Sequence, residues 1–202
     1  MFVVVEGSNG AGKTSLKERF EDEDGCSTLS SPNGTNLAKM LRPACRGEDP
    51  WSDIDARIQF LLFSAARLDE YIRLVEGNSD TIVADRWWTS TFVYQCTLQG
   101  LSVEFMEHTI HPDEKIDLVV ILDGDDDVLI ERMKSERLKN PKHGICTWTK
   151  DEASLRKLMK IYREDLPVYL DKLGINHVIV DTTNRTELEV FEHVKILIAE
   201  LS

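Results

Sequence analysis

Apolar runs alternate with helix-compatible stretches along almost the whole chain. The predicted strands are 2–6, 27–30, 81–85, 117–123 and 177–181. The predicted helices are 13–21, 35–42, 54–76, 90–99, 103–110, 126–138, 151–172 and 186–201. Strands and helices that alternate in this way form a parallel sheet with helices on both faces. The pattern therefore predicts an α/β fold that binds its ligands at the carboxyl ends of the strands.

The first predicted strand runs directly into a glycine-rich turn, in the stretch FVVVEGSNGAGKTSL. Gly7, Gly12, Lys13 and Thr14 match the phosphate-binding pattern G-x-x-x-x-G-K-[ST] in its strand–loop–helix setting. Backbone N–H groups of such a loop converge on an anion, and the following helix adds its positive end. We expect Lys13 to contact the β- and γ-phosphates and Thr14 to bind Mg²⁺. The expected ATP-binding residues are Asn9, Gly10, Ala11, Gly12, Lys13, Thr14 and Ser15.

The helix predicted over 54–76 carries its apolar residues in one stripe, which we expect to face the core. The stripe consists of Ile54, Ile58, Leu61, Leu62, Ala65, Leu68, Ile72 and Val75. Phe63 and Arg67 lie on the opposite side, four residues apart and therefore adjacent. A ring beside a guanidinium suits a nucleobase that stacks and accepts hydrogen bonds. In the alternative interpretation, Phe63 packs under a neighbouring helix and Arg67 is solvated; the spacing does not separate the two.

Asp85 ends the third predicted strand and Arg86 follows it, at the edge of the sheet where the phosphate-binding loop also lies. An aspartate at such a strand end holds Mg²⁺ through water in many phosphotransferases, and an adjacent arginine clamps phosphate. The alternative is a helix-capping aspartate followed by a surface arginine. The nearby phosphate-binding loop favours the functional interpretation.

Length, charge and cysteine content narrow the class of protein. A chain of 202 residues suits a single domain spanning 1–202. The net charge of −12 argues against a large nucleic-acid surface. No apolar stretch reaches the length of a membrane span, and no basic segment of a signal peptide precedes the first strand. Cys26, Cys45, Cys96 and Cys146 are scattered, which is typical of reduced thiols in a cytosolic protein.

Several stretches together resemble the thymidylate kinase family of P-loop nucleoside monophosphate kinases. They occur in the family's order and cover nearly the whole chain: VEGSNGAGKTSL, SPNGTNLAKMLR, LLFSAARLDE, VADRWWTSTFVYQ, DLVVILDGDDDVLIERM and VIVDTTNRTELEVFEHV. The resemblance implies a P-loop NTPase fold with a five-stranded parallel sheet in the order 2-3-1-4-5. It also implies transfer of the ATP γ-phosphate to dTMP with Mg²⁺, in the cytoplasm, or in the host cytoplasm for a viral protein. The resemblance also implies a possible homodimer, because dimers are common in this family.

The resemblance also assigns roles to individual residues. Phe63 would stack on thymine, Arg67 would bond its edge, and Arg86 would hold the acceptor phosphate. Asp85 and Thr14 would serve the metal. The implied acceptor-binding residues are Asn9, Phe63, Arg67, Arg86, Ser90, Thr91, Tyr94 and Gln95. Among these, Tyr94 stands where the family tests for the absence of a 2′-hydroxyl, and Asn9 stands where many members carry an acidic residue near the acceptor sugar.

The implied lid segment is about 134–150. The variable loop positions 8–11 carry no basic residue, so the resemblance assigns the catalytic charge to the lid. Arg132 and Arg137 join Lys13 and Arg86 as the predicted catalytic residues. The second-choice candidates for the lid charge are Lys134, Lys139 and Lys142. The stretch SSPNGT lacks the arginine that relatives carry around this loop, for which Arg42 could substitute, and the lid lacks the DR-x-E pattern.

These departures leave open another acceptor, such as a 5-substituted deoxyuridylate or a different deoxynucleotide. Two separate alternatives are a deoxynucleoside kinase and, from another class of protein, an ATP-dependent regulatory module.

Overall fold

The computed structural model describes residues 1–46, 48, 50–51, 53–109, 114–139 and 151–201. Its strands form one parallel sheet in the order β2-β3-β1-β4-β5. They are β1 (Phe2–Gly7), β2 (Cys26–Ser30), β3 (Thr81–Asp85), β4 (Leu118–Asp123) and β5 (His177–Asp181). The predicted α/β class and the strand order implied by the resemblance are both confirmed.

Helices cover both faces of this sheet. In chain order they are α1 (Lys13–Glu21), α2 (Asn36–Cys45), α3 (Ala56–Glu70), α4 (Trp88–Thr91), α5 (Val103–Glu107), α6 (Asp126–Lys139), α7 (Glu152–Lys160), α8 (Leu166–Leu173) and α9 (Glu187–Ala199). One π-helical segment, Tyr71–Val75, continues α3, a second, Phe92–Leu98, continues α4, and a third, Ile161–Asp165, joins α7 to α8. Segments of this kind are frequent near functional sites, and the second of them contributes Tyr94 and Gln95 to the cavity described below.

Two apolar cores lie on the two faces of the sheet. Val4 and Ile121 face the core that includes Trp87, while Val5 and Leu122 face the core beneath α1, α6 and α9. All four strand residues are buried. Because both faces of the sheet centre are covered, β1, β3 and β4 contain apolar runs without polar alternation.

The prediction for the buried side of α3 is wrong. None of the predicted stripe residues is fully buried, and Ile58, Leu61 and Ile72 have exposed fractions of 51%, 46% and 55%. The side of the helix that is covered instead includes Phe60, which lies in the core, and Arg67. Helical spacing identifies which residues share a side of a helix, but it does not say which side the rest of the protein covers.

Glu70, at the end of α3, shows why a polar residue can be buried on this helix. Its carboxylate accepts hydrogen bonds from Ser31 Oγ (2.6 Å), the Asn33 N–H (2.7 Å) and the Gly34 N–H (2.6 Å). These bonds offset the cost of burying the charge. Glu70 therefore fixes the 31–34 loop against α3, at the rim of the cavity described below.

No helix among the described residues combines the length and apolar character needed to cross a bilayer. Cys26, Cys45 and Cys96 are free thiols in the described part of the chain. Burial raises the pKa of Cys45 to about 12 and that of Cys96 to about 11, so these two thiols stay protonated at neutral pH. Cys146 lies outside the described residues.

Candidate active site

One cavity of about 970 Å³ opens where the carboxyl ends of β1 and β3 meet. The phosphate-binding loop forms one wall, and residues of α3 and of the 85–95 segment form another. All the predicted ATP-binding, acceptor-binding and metal-binding residues line this cavity, as does Arg132. Residues from distant parts of the sequence are therefore brought together as a parallel sheet predicts.

The phosphate-binding loop is pressed against its neighbours. A Cβ on Gly10 would lie 2.4 Å from the Leu129 carbonyl oxygen, and the residue has a φ of +84°. Only glycine fits that position, because a side chain would collide with α6 and strain the backbone. The loop therefore keeps its backbone close to α6 and open toward the cavity.

Lys13 is buried in this loop and its Nζ donates to the Ser8 carbonyl oxygen at 2.7 Å. Burial, and secondarily the nearby Arg86 guanidinium, lower the pKa of Lys13 to about 7. A phosphate next to Nζ would favour the ammonium form, since an opposite charge stabilises it. The loop thus holds a cation-forming group where a phosphate chain would lie.

Arg86 connects the phosphate-binding loop to the 85–95 segment. Its Nη1 donates to Tyr162 Oη (2.7 Å) and Ser90 Oγ (3.2 Å), and its Nη2 donates to Asn9 Oδ1 (3.4 Å). The guanidinium carbon lies 5.4 Å from the centroid of the Tyr94 ring. Arg86 has a φ of +72°, which is uncommon for a residue with a side chain. The guanidinium is thus held over the cavity by contacts on several sides.

Asp85 and Thr14 fit a hydrated Mg²⁺. Asp85 Oδ1 is buried and has no hydrogen-bond partner among the described residues, although Asp85 lines the same cavity as Thr14. A buried carboxylate oxygen without a partner is costly unless a ligand or ion satisfies it. Carboxylate and hydroxyl oxygens are also the donors that Mg²⁺ prefers.

Arg67 and Phe63 form the other end of the cavity. Arg67 is 2% exposed; its Nη1 donates to Thr91 Oγ1 (2.8 Å) and its Nη2 donates to Ser64 Oγ (3.0 Å). Its Nε is buried without a hydrogen-bond partner among the described residues, and burial lowers the pKa of the guanidinium. Phe63 is half-buried and lines the cavity. Arg67 is therefore not solvated, contrary to the alternative interpretation, and its Nε–H is a buried donor without an acceptor among the described residues.

Arg132 is bound to the loop after β5. Its Nη1 donates to Thr182 Oγ1 (3.2 Å), and its Nη2 donates to the carbonyl oxygens of Thr182 (2.8 Å) and Thr183 (3.0 Å). Lys134 is paired with Glu131 at 3.0 Å. The side chains of Arg137 and Lys139, and Lys142 with the rest of 140–150, lie outside the described residues. The catalytic role of Arg132 and Arg137 stays a prediction.

Sequence reasoning missed two residues that hold the site together, Glu6 and Tyr162. Glu6 is fully buried and Tyr162 is 1% exposed, and both contact Arg86. A carboxylate inside a strand that is covered on both faces was the available signal for Glu6, because such a group needs buried partners. No sequence signal distinguishes Tyr162 from the core residues around it. Arg42, which donates to the Pro32 carbonyl oxygen at 2.8 Å, also lines the cavity.

Comparison with known proteins identifies the family. Residues 5–191 match the family model described as thymidylate kinase. The chain belongs to the thymidylate kinase family. A probable thymidylate kinase of Methanococcus maripaludis is 29% identical over 195 residues, which cover 96% of this chain and 92% of the relative. The thymidylate kinase of Acholeplasma laidlawii is 30% identical over 146 residues, 68% of this chain and 72% of the relative.

The fold of this thymidylate kinase family member also matches a solved structure. The crystal structure of thymidylate kinase from Ehrlichia chaffeensis superposes with a TM-score of 0.68 and covers 98% of both chains. Its sequence identity of 19% limits this likeness to the fold.

Proposed function

We propose that this protein transfers the γ-phosphate of ATP to dTMP, giving dTDP and ADP. The observation that carries the proposal is the pairing of a buried, under-satisfied Arg67 with the Phe63 ring in the cavity that also holds Lys13. Thymine offers a flat face for the ring and a C4 carbonyl for the guanidinium. Family membership supports the same substrate, because both relatives above are named as thymidylate kinases.

Different residues of the cavity would have different roles in phosphoryl transfer. Lys13 and the loop N–H groups would hold the β- and γ-phosphates of ATP, and Arg86 would hold the acceptor phosphate opposite them. Little covalent chemistry falls to the protein, because positioning and charge stabilisation account for most of the catalysis. Mg²⁺, held through Thr14 and Asp85, would neutralise phosphate charge.

We propose different positions for the two arginines of α6. Arg132 already gives three N–H groups to the loop after β5, so it would fix the donor side of the cavity. Arg137 would then supply the positive charge that stabilises the phosphoryl group during transfer, because positions 8–11 of the phosphate-binding loop carry no cation.

A coupled ADP-release assay separates the candidate functions. We expect ADP release to depend on an added nucleoside monophosphate and to be fastest with dTMP among dTMP, dUMP, dCMP, dAMP and dGMP. Release that depends on thymidine instead would identify a nucleoside kinase. Release without any acceptor would identify an ATPase or a regulatory module, and would contradict the proposal.

Tyr94 is expected to exclude acceptors with a 2′-hydroxyl. Its ring is half-buried in the cavity wall beneath Arg86, so an added hydroxyl would crowd it. Overpacking of this kind costs enough to lower kcat/KM for ribothymidine monophosphate by about 10-fold relative to dTMP. Tyr94→Ala should reduce this preference. Equal kcat/KM values for both sugars in the wild-type protein would remove Tyr94 from this role.

The exposed apolar side of α3 supports a homodimer. Ile58 and Leu61 on α3 and Ile72 on the π-helical segment that continues it are all exposed, and they belong to one apolar stripe at helical spacing. A two-fold axis would place the same stripe of two copies against each other. We propose that this stripe is the dimer interface.

Substitution of Leu61 tests this interface. Leu61→Glu places charges in the stripe and should convert a dimer into a monomer in sedimentation experiments. Ile196→Glu is the matched control, because Ile196 is 56% exposed on α9, outside the stripe; it should remain dimeric. A wild-type monomer, or a Leu61→Glu dimer of unchanged stability, would contradict the assignment.

A further inference from the structure

Glu6 lies at the centre of a buried hydrogen-bond network next to Arg86. Its Oε1 accepts from Thr89 Oγ1 (2.5 Å) and the Trp87 N–H (3.3 Å), and its Oε2 accepts from Ser90 Oγ (2.8 Å) and Tyr162 Oη (3.2 Å). A carboxylate has about four lone-pair sites, so these four bonds fill its acceptor capacity. Glu6 is therefore satisfied without a direct hydrogen bond from Arg86, whose Nη1 lies 3.7 Å from Oε2.

Tyr162 connects Glu6 to Arg86 through two hydrogen bonds. Its hydroxyl donates to Glu6 Oε2 and accepts from Arg86 Nη1, and the ring is packed in the core. A buried aromatic ring has little freedom to move, so the hydroxyl oxygen is a fixed anchor for the guanidinium. The bond at 2.7 Å is the shortest that Arg86 makes to the described residues.

The anchoring determines which edge of Arg86 faces a ligand. A guanidinium has five N–H donors. The bonds to Tyr162, Ser90 and Asn9 account for three of them among the described residues. The Nε–H and one Nη2–H remain, and Nε and Nη2 share one edge of the fork, the kind of edge that binds two oxygens of a phosphate.

We propose that Tyr162, fixed by Glu6, is a positioning residue that orients Arg86 so that this edge binds the phosphate of the acceptor nucleotide. The inference rests on the proposed function, because it takes dTMP as the acceptor. The Glu6–Tyr162 pair also links two elements far apart in the sequence, since β1 carries Glu6 and the π-helical segment after α7 carries Tyr162.

Tyr162→Phe removes only the hydroxyl and tests the proposal. We expect the KM for dTMP to rise by about 10-fold, the scale of one lost hydrogen bond to a charged group. The KM for ATP should stay unchanged, because the donor phosphates contact Lys13 and the loop. A merely structural role would change both KM values together or neither.

Tyr169→Phe is the matched control. Tyr169 lies on α8 in the same helical run, is 6% exposed and donates to Glu107 Oε1 at 3.0 Å, but it does not contact Arg86. This variant should keep both KM values of the wild-type protein.

A double-mutant cycle with Arg86→Lys tests whether Tyr162 acts through Arg86. A lysine cannot reproduce the fork, so adding Tyr162→Phe to Arg86→Lys should change the KM for dTMP little further. Full additivity, or an unchanged KM for dTMP in Tyr162→Phe, would overturn the inference. Wild-type protein that fails to phosphorylate dTMP would overturn the proposed function instead, so the two failures are distinguishable.

Discussion

Replacing Lys13 by alanine is expected to lower kcat by about 10²- to 10³-fold, the scale for losing a charge contact made in the transition state. Lys13 is the buried cation of the phosphate-binding loop, and its Nζ lies 2.7 Å from the Ser8 carbonyl oxygen. Steady-state kinetics with saturating ATP and dTMP measure this effect. A variant that turns over at the wild-type rate would show that the loop does not drive the chemistry.

The fold should survive this substitution. The pKa of Lys13 is lowered from the ordinary lysine value of 10.5 to about 7 in the folded protein, so between these pH values the unfolded chain binds more protons. The lysine therefore destabilises the folded state at neutral pH, and this penalty fades as the pH rises toward 10.5. Lys13→Ala should not lower Tm through loss of that charge.

Lys17→Ala is the matched control for the kinetic effect. Lys17 lies one turn along α1 and pairs with Glu21, so its replacement should leave kcat unchanged.

Replacing Arg67 by methionine is expected to lower kcat/KM for dTMP by about 100-fold, because a hydrogen bond to a buried charged group is lost from the acceptor site. The wild-type protein should also prefer dTMP over dCMP by about 5- to 150-fold, the range for a buried donor left unpaired. Cytosine carries an amino group at C4, which would set a donor against the Arg67 donor. In Arg67→Met this preference should largely disappear.

Arg57→Met is the control for the Arg67 substitution. Arg57 lies on the same helix, but its side chain is 71% exposed and pairs with Asp55 near the helix start. Its replacement should leave the kinetic constants for dTMP and dCMP unchanged. A wild-type preference for dCMP or for a purine monophosphate would contradict the assignment of Arg67 to the base.

The sheet could be predicted well because its strands are covered on both faces. β3 spans the predicted residues 81–85 and is buried between its two ends. A strand of this type is a short apolar run with polar residues at its ends, so the sequence marks both its extent and the ligand-binding edge. The phosphate-binding loop was equally visible, because its glycines and its lysine are adjacent in the sequence.

The environment of α3 could not be predicted from its own residues. The pattern placed Phe63 and Arg67 together, but it assigned the core to a stripe in which Leu61 is 46% exposed. The more apolar side of a helix is covered by the core in most domains, whereas here the cavity and the 31–34 loop lie against the more polar side. The partners of Arg67, such as Thr91, come from a separate segment.

The network around Glu6 was beyond sequence reasoning for a related reason. Glu6 and Tyr162 are 156 positions apart, and their contact depends on how the helical run after α7 packs onto β1. One buried tyrosine among several core residues carries no local mark of such a role. Its assignment needs the positions of the Glu6 carboxylate and the Arg86 guanidinium.

Direct identification of the product tests the central claim most directly. The full chain would be incubated with Mg²⁺, ATP labelled in the γ-phosphate and dTMP, and the nucleotides separated by chromatography. We predict that the label appears in dTDP and that dTDP and ADP form in equal amounts. Label released as inorganic phosphate, or no labelled dTDP while another nucleoside monophosphate is phosphorylated, would contradict the account.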